Sequence, residues 1–255
     1  MTSMILKTTL AAVVAVAAAQ PVASQSAAKL RDTFSGQWYI FDEAFGRGGM
    51  PCKINLEREK VPVADTVNKD PRFQASTQNC SGPLEGELTW RVEDGKIILA
   101  SKDGGPVAAV GGNPRRLSGD YVAPPNTVVL ERETGSGAKS QLSSAIKKHG
   151  CYYLGYTANC ADESATQRPD LEDGTASVNV VVSLNVRNQP RRSAPVIGTV
   201  PSGSDVTVNA CLTTSDGIWC RARFGESVGW MAKSALRQGE WPVITYVNAA
   251  MGGGA

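Results

Sequence analysis

The chain has 255 residues with 26 basic side chains, 24 acidic side chains and a single histidine, which gives a formal net charge of +2 at pH 7. A charge this close to zero indicates no dominant electrostatic partner, so we expect no nucleic-acid ligand. The charge is unevenly distributed, however, because residues 176–237 contain seven basic and three acidic side chains. An anionic envelope surface is a plausible partner for that segment, and a solvated charged face is the alternative interpretation.

The first 24 residues have the pattern of a secretory signal peptide. Lys7 precedes an unbroken run of apolar and small residues over 8–19, and small residues near Ser24 favour cleavage after it. The run is shorter than the roughly 20 residues that cross a bilayer, so a retained anchor is the weaker alternative. No cysteine precedes Cys52 that could carry a lipid. We therefore expect a periplasmic or secreted protein that is not a lipoprotein and has no stable membrane insertion.

Six cysteines fall into three pairs that are local in the sequence: Cys52 and Cys80, Cys151 and Cys160, and Cys211 and Cys220. An exported chain meets an oxidising compartment, so this even number favours three disulfides, although other connectivities remain formally open. A zinc site is the competing interpretation. It is disfavoured because no Cys-x-x-Cys motif occurs and His149 is the only histidine.

Strand character begins after residue 33 and continues in short segments separated by Gly, Pro, Asn and Asp. The predicted strands are 38–41, 52–56, 73–76, 88–92, 97–100, 107–110, 118–122 and 127–132. Connections of hairpin length between eight strands favour an up-and-down antiparallel barrel, because closure removes the exposed edges.

Residues 33–133 resemble the alkaline protease inhibitor family of Gram-negative bacteria. The resemblance rests on Gly36-Gln37-Trp38, Cys52, Cys80, Leu88-Thr89-Trp90, Asp94-Gly95, Leu117-Ser118-Gly119-Asp120-Tyr121 and Val128-Val129-Leu130-Glu131-Arg132. It implies an eight-stranded barrel with one disulfide, here Cys52 to Cys80. It also implies inhibition of an extracellular or periplasmic zinc protease, whose active-site cleft receives an extended segment that precedes the barrel.

The candidate inhibitory segment consists of Ser26, Ala27, Ala28, Lys29 and Leu30. Small side chains suit an extended segment that threads a narrow cleft. The same composition is typical of a disordered terminus after a signal peptide, so that alternative stays open.

The composition changes over 134–175, which we interpret as a linker. Residues 140–148 predict a short helix with Leu142 and Ile146 on one side. A disulfide loop from Cys151 to Cys160 would then fix a small knob rich in tyrosine. Such tyrosines can form a binding surface, but more often they pack against the rest of the protein.

Residues 176–237 resemble the bacterial SH3 family. The resemblance rests on Leu184-Asn185-Val186-Arg187, the strand and turn pattern that follows, and Gly229-Trp230. It implies a small barrel that binds envelope polymers such as peptidoglycan, or an envelope protein, and it places Cys211 beside Cys220 on neighbouring strands. The remaining residues, 238–255, form a predicted C-terminal tail in which 241–247 could add a strand or cover an apolar edge.

Four residues are candidates for the ligand groove of this module: Asn185, Arg187, Trp219 and Trp230. Aromatic walls accept peptides in SH3-type barrels. One of the tryptophans, more readily Trp230 after Gly229, would alternatively belong to the core. Asn185 and Arg187 are as well suited to holding the first turn as to contacting a ligand.

No pattern in the chain predicts catalysis. A cysteine peptidase needs a thiolate beside an imidazole base, yet each cysteine has an expected disulfide partner and His149 stands alone. No Gly-x-Ser-x-Gly elbow, phosphate loop or metal-ligand cluster occurs. We expect no enzyme, cofactor or metal, but an all-β exported protease inhibitor localised by its SH3-like module. The alternatives are an envelope adaptor without inhibitory activity and, because Gly36-Gln37-Trp38 also resembles the start of lipocalins, a barrel that holds a small apolar ligand.

Overall fold

The computed structural model describes residues 26–62, 71–123, 126–132 and 137–249. The predicted signal peptide and its cleavage site therefore lie outside the described residues, as do residues 250–255 of the predicted tail. Among the described residues, no helix is both long and apolar enough to cross a membrane.

The first half of the chain is a closed antiparallel barrel, which confirms the predicted fold class. Each strand pairs with the next, and the first strand returns to the last where Tyr39 lies opposite Glu131. The strands are β1 (Gly36–Ile40), β2 (Cys52–Lys60), β3 (Phe73–Gln78), β4 (Leu88–Glu93), β5 (Lys96–Ser101), β6 (Pro106–Asn113), β7 (Arg116–Tyr121) and β8 (Thr127–Glu131). The eight segments recognised from alternating polarity all contribute a strand.

The interior of the barrel is filled by side chains. Trp38 and Trp90 are fully buried, and other large members of this core are Ile54, Leu56, Leu99, Leu117 and Leu130. Each indole N–H finds an acceptor, because Trp38 Nε1 donates to the Phe34 carbonyl at 2.8 Å and Trp90 Nε1 to the Glu57 carbonyl at 2.9 Å. Satisfied donors allow both tryptophans to remain fully desolvated.

A fluorescent hydrophobic probe is expected not to bind inside this barrel, since close packing leaves it no room. Titration of the folded protein tests the point. Trp90→Ala, which removes a fully buried ring and opens a cavity of dry apolar character, is the positive control and is expected to gain probe binding. Equal binding by the wild type would favour an internal ligand of the lipocalin kind.

The three predicted disulfides are present: Cys52 with Cys80, Cys151 with Cys160, and Cys211 with Cys220. The first joins the start of β2 to the loop after β3, and the third links residues that lie directly opposite each other on neighbouring strands. No cysteine remains free.

The candidate inhibitory segment is helical, so the predicted extended conformation is wrong for Ala27, Ala28, Lys29 and Leu30. Helix α1 (Ala27–Phe34) begins at Ser26, whose side chain caps the backbone N–H of Lys29 at 3.3 Å. A serine N-cap followed by good helix formers favours this local structure. Leu30 packs against the barrel core, one turn before the buried Phe34.

Arg132, just after β8, holds the end of this helix on the barrel. Its guanidinium donates to the carbonyls of Thr33 and Ser35 at 2.6 and 2.8 Å and lies over the Trp38 ring. A cation at a helix C-terminus satisfies carbonyls that have no intrahelical partner. The segment before the barrel is thus tied to the barrel by its apolar face and by its C-terminal carbonyls.

Residues 137–249 contain two sheets and two helices. A seven-stranded sheet has the order β12-β11-β15-β14-β13-β10-β18, and a three-stranded sheet has the order β16-β17-β9. The elements are α2 (Gly137–His149), β9 (Tyr153–Leu154), α3 (Glu163–Thr166), β10 (Ala176–Val180), β11 (Leu184–Arg187), β12 (Val196–Val200), β13 (Asp205–Thr214), β14 (Gly217–Phe224), β15 (Ser227–Ala232), β16 (Ser234–Arg237), β17 (Trp241–Ile244) and β18 (Tyr246–Asn248).

The predicted linker and the predicted tail meet in the three-stranded sheet. β17, from the tail, pairs with β16 on one side and runs parallel to β9, from the linker, on the other. β18 pairs with β10 and so extends the seven-stranded sheet. Residues 241–248 therefore add strands, and the segment predicted as a tail is structured up to Asn248.

Candidate functional site

The first two candidate residues lie on β11 and stabilise its hairpin with β12. Asn185 is exposed, and its Oδ1 accepts a hydrogen bond of 3.5 Å from Thr199 Oγ1 on β12. Arg187 Nη1 donates to the Ala194 carbonyl at 2.6 Å, in the connection between the strands. Both side chains also line a cavity of about 200 Å³, which we call the SH3 groove.

Trp219 lines the same groove, although only 1% of its surface is exposed. Its Nε1 donates to Asp216 Oδ1 at 2.9 Å, which fixes the ring. Trp219 is thus a rigid part of the groove wall, and such preorganisation lowers the entropy lost on binding.

Trp230 does not line the groove. It is 6% exposed and packs with Ala210, Leu212 and Trp219 against Val129, which comes from barrel strand β8. The structure therefore brings three of the four candidates together at one cavity and places Trp230 in the contact between the two domains. Trp230 is therefore a core residue, which is the alternative that its place after Gly229 favours.

Two more arginines, Arg192 and Arg237, line the groove. Neither belongs to the sequence motifs from which the groove residues were predicted. Arg192 Nη2 donates to the carbonyls of Asp216 and Ser234 at 3.1 and 2.9 Å, and burial lowers the pKa of its guanidinium. Arg237 lies at the end of β16. None of the described residues that line this groove is acidic, so its charged side chains are all positive.

The hairpin between β13 and β14 anchors this module to the barrel through buried polar contacts. Asp42 Oδ2 accepts from the Thr213 backbone N–H at 2.9 Å and from Arg168 Nη1 at 3.0 Å. Glu131 Oε2 accepts from the Ser215 backbone N–H at 2.7 Å, and its Oε1 accepts from the Ser215 hydroxyl. The groove is therefore held in a fixed position relative to the barrel.

The sequence of strand β8 indicates that the outer face of the barrel is covered at this interface. All five of its residues are buried, whereas a strand with one solvated face alternates between buried and exposed positions. Val128 and Leu130 belong to the barrel core, and Val129 to the cluster with the tryptophans. The run Thr127-Val128-Val129-Leu130 thus indicates a covered outer face.

The geometry defines two all-β domains, of which the second presents a basic groove. Residues 182–237 match the bacterial SH3 domain, which confirms the predicted module over that range. No curated protein matches the chain. Among solved structures, the chain is similar to one described as the antimicrobial peptidase lysostaphin from Staphylococcus simulans, with 14% identity, coverage of 82% of this chain and 93% of that chain, and a TM-score of 0.24.

Within the described residues, no group of three or more His, Cys, Asp or Glu side chains is arranged to hold a metal ion. The single histidine packs against aromatic rings, with its centroid 4.3 Å from that of Trp241 and 5.8 Å from that of Tyr153.

Proposed function

We propose that this protein is an exported, non-enzymatic binding protein that attaches to peptidoglycan through its bacterial SH3 domain. The observation that carries the proposal is the groove of that domain, which remains free of the barrel and is lined by Asn185 and three arginines. Peptidoglycan carries peptide carboxylates, and planar guanidinium groups bind carboxylates through paired hydrogen bonds.

The state of the cysteines and the histidine supports a role without catalysis. All six cysteines form disulfides, so no thiolate is available as a nucleophile. The ring of His149 packs against the rings of Trp241 and Tyr153, and no cysteine thiol is available to pair with it. Three disulfides also agree with export to an oxidising compartment.

Co-sedimentation of the full-length folded protein with purified peptidoglycan sacculi tests this function. We expect the wild type to sediment with sacculi and Asn185→Ala to do so several-fold less, because Asn185 is an exposed groove residue. Thr207→Ala is the matched control, since Thr207 is an exposed polar residue on β13 that does not line the groove. Absence of the folded wild type from the pellet would overturn the proposal.

A second candidate function is inhibition of a secreted protease, with the SH3 domain holding the inhibitor near the envelope. The supporting observation is the closed barrel of eight strands with its Cys52–Cys80 disulfide, the arrangement that the resemblance to alkaline protease inhibitors implies. Insertion of the segment from Ser26 to Leu30 into a cleft would require α1 to leave the barrel. Leu30 and Phe34 would then lose their apolar contacts with the barrel core.

Inhibition assays against a panel of secreted zinc and serine proteases test this second function. Sub-micromolar inhibition by the full-length protein would support it. Deleting residues 26–30 is then expected to weaken inhibition if the segment enters the cleft. An unchanged inhibition constant after the deletion would assign the contact to the barrel instead.

A further inference from the structure

A second groove adjoins the SH3 groove and is built mostly from residues outside 182–237. We call it the aromatic groove; its main lining residues are Tyr153, Tyr156, Arg237, Trp241 and Val243, and its volume is about 370 Å³. Tyr156, Arg237 and Val243 line both grooves, so the two grooves share part of their walls. A cavity of this size is in the range of ligand sites.

The aromatic walls are exposed yet held in place. Trp241 is 39% exposed and packs against His149 and Tyr153, whose ring centroids lie 4.3 and 5.7 Å from its own. Tyr156 is 57% exposed and lies in the loop closed by the Cys151–Cys160 disulfide. Exposed aromatic rings that are already ordered provide contact area with little loss of conformational entropy.

Arg237 supplies the charge of this groove. Its guanidinium lies over the Tyr156 ring, 4.6 Å from the centroid, and its backbone is opposite Trp241 in the hairpin of β16 and β17. Among the described residues, no carboxylate forms an ion pair with it. A guanidinium stacked on a ring keeps its N–H edges free for a planar acceptor such as a carboxylate.

The other two arginines are more occupied by the protein itself. Arg192 donates to two backbone carbonyls and lies 3.9 Å from Asp216, and Arg187 donates to the Ala194 carbonyl. No described lining residue of either groove is acidic. The charge of the two adjoining grooves therefore complements an anion, and Arg237 is the arginine with the fewest contacts to the protein itself.

We propose that the aromatic groove binds the free carboxylate of a peptide whose remaining residues continue into the SH3 groove. The ligand's carboxylate contacts Arg237, and its aliphatic part packs on Tyr156 and Trp241. A peptide with a carboxylate fits better than a neutral glycan chain, because the surface is positive and has no acidic side chain to accept hydrogen bonds from sugar hydroxyls. This inference rests on the proposed peptidoglycan binding and names the part of the polymer that is recognised.

Isothermal titration of the full-length protein with three probes tests the inference. The probes are muramyl peptides released from sacculi by a muramidase, the same peptides with their carboxylates amidated, and an N-acetylglucosamine oligomer. We expect binding of the first probe and roughly tenfold weaker binding of the second, since a hydrogen bond to a charged group is lost. The oligomer is expected not to bind.

Arg237→Gln and Tyr156→Ala are expected to weaken binding of the muramyl peptide roughly tenfold each. Arg223→Gln is the matched control, because it removes one exposed positive charge of the same domain outside both grooves. Circular dichroism verifies that the variants are folded.

Three outcomes separate the inference from the function on which it rests. If Arg237→Gln binds sacculi and muramyl peptide as the wild type does, the aromatic groove is not the carboxylate site, although the protein still binds peptidoglycan. Binding of the glycan oligomer equal to that of the peptide would overturn the carboxylate as the recognised group. No binding of sacculi by the folded wild type would overturn both.

Discussion

Replacing Glu131 with alanine is expected to lower the free energy of unfolding by about 3–5 kcal/mol, the usual loss when one member of a buried ion pair is removed. Glu131 is only 6% exposed, and its Oε1 lies 2.6 Å from Arg116 Nη2. Without the carboxylate, this guanidinium keeps the Pro190 carbonyl at 3.0 Å and a distant contact of 3.5 Å with Asp216. The Ser215 backbone N–H also loses its acceptor.

Urea denaturation of the wild type, Glu131→Ala and Glu131→Gln measures this effect. The glutamine variant retains an acceptor for Ser215 but removes the charge, so an intermediate loss is expected. Glu87→Ala is the matched control, because Glu87 pairs with Lys102 at the surface, with both side chains exposed, and exposed pairs contribute little. A loss for Glu131→Ala no larger than that of the control would show that the contact between barrel and SH3 domain contributes little to stability.

Lys233→Met is expected to stabilise the protein at neutral pH by about 3 kcal/mol, with an effect that shrinks as pH rises. Lys233 is 2% exposed, and its Nζ has no hydrogen-bond partner among the described residues. The ring of Tyr246, 4.7 Å from Nζ, offers a cation–π contact as partial compensation. Burial lowers the pKa of this lysine from 10.5 to about 8.

The direction of the pH effect follows from the difference between the pKa of Lys233 in the folded protein and its pKa in the unfolded protein. Between pH 8 and 10.5 the unfolded lysine is protonated and the folded one is increasingly neutral, so the unfolded state binds more protons. Stability therefore rises with pH in this window, and the penalty for the buried charge is fully present below pH 8. Burial raises the pKa of Tyr121 and of Tyr246, which opposes the trend once unfolded tyrosines ionise near pH 10.

Denaturation of the wild type and Lys233→Met at several pH values from 7 to 9.5 tests this expectation. The wild type should gain about 2 kcal/mol over that range, whereas the variant should gain much less. Lys96→Met, which removes an exposed lysine of β5, is the control and should reproduce the wild-type profile. Parallel profiles for the wild type and Lys233→Met would show that Lys233 stays charged in the folded protein.

The strands of both domains could be predicted because their signals are local. Alternating polarity and turn residues lie within a few positions of each other in strands such as β4 and β5. The α1 helix was equally local, with Ser26 as a cap and Leu30 and Phe34 one turn apart. The resemblance to an inhibitor family implies an extended segment at these positions, whereas the cap and the apolar spacing favour a helix, and the folded chain follows the local signals.

The sequence by itself determined the antiparallel barrel and the bacterial SH3 module, which depend on alternation and turn spacing within one region of the chain, and it favoured the three local disulfides without excluding other pairings. Only the tertiary structure decided which residues cover the faces of these elements. Trp230 packs against Val129, and Tyr156 lies under the guanidinium of Arg237. Glu131 forms an ion pair with Arg116 and accepts a hydrogen bond from Ser215. The aromatic groove likewise depends on the parallel pairing of β9 with β17. These partners come from distant parts of the chain, and the packing that selects them reflects shape and desolvation of whole surfaces, which no local pattern encodes.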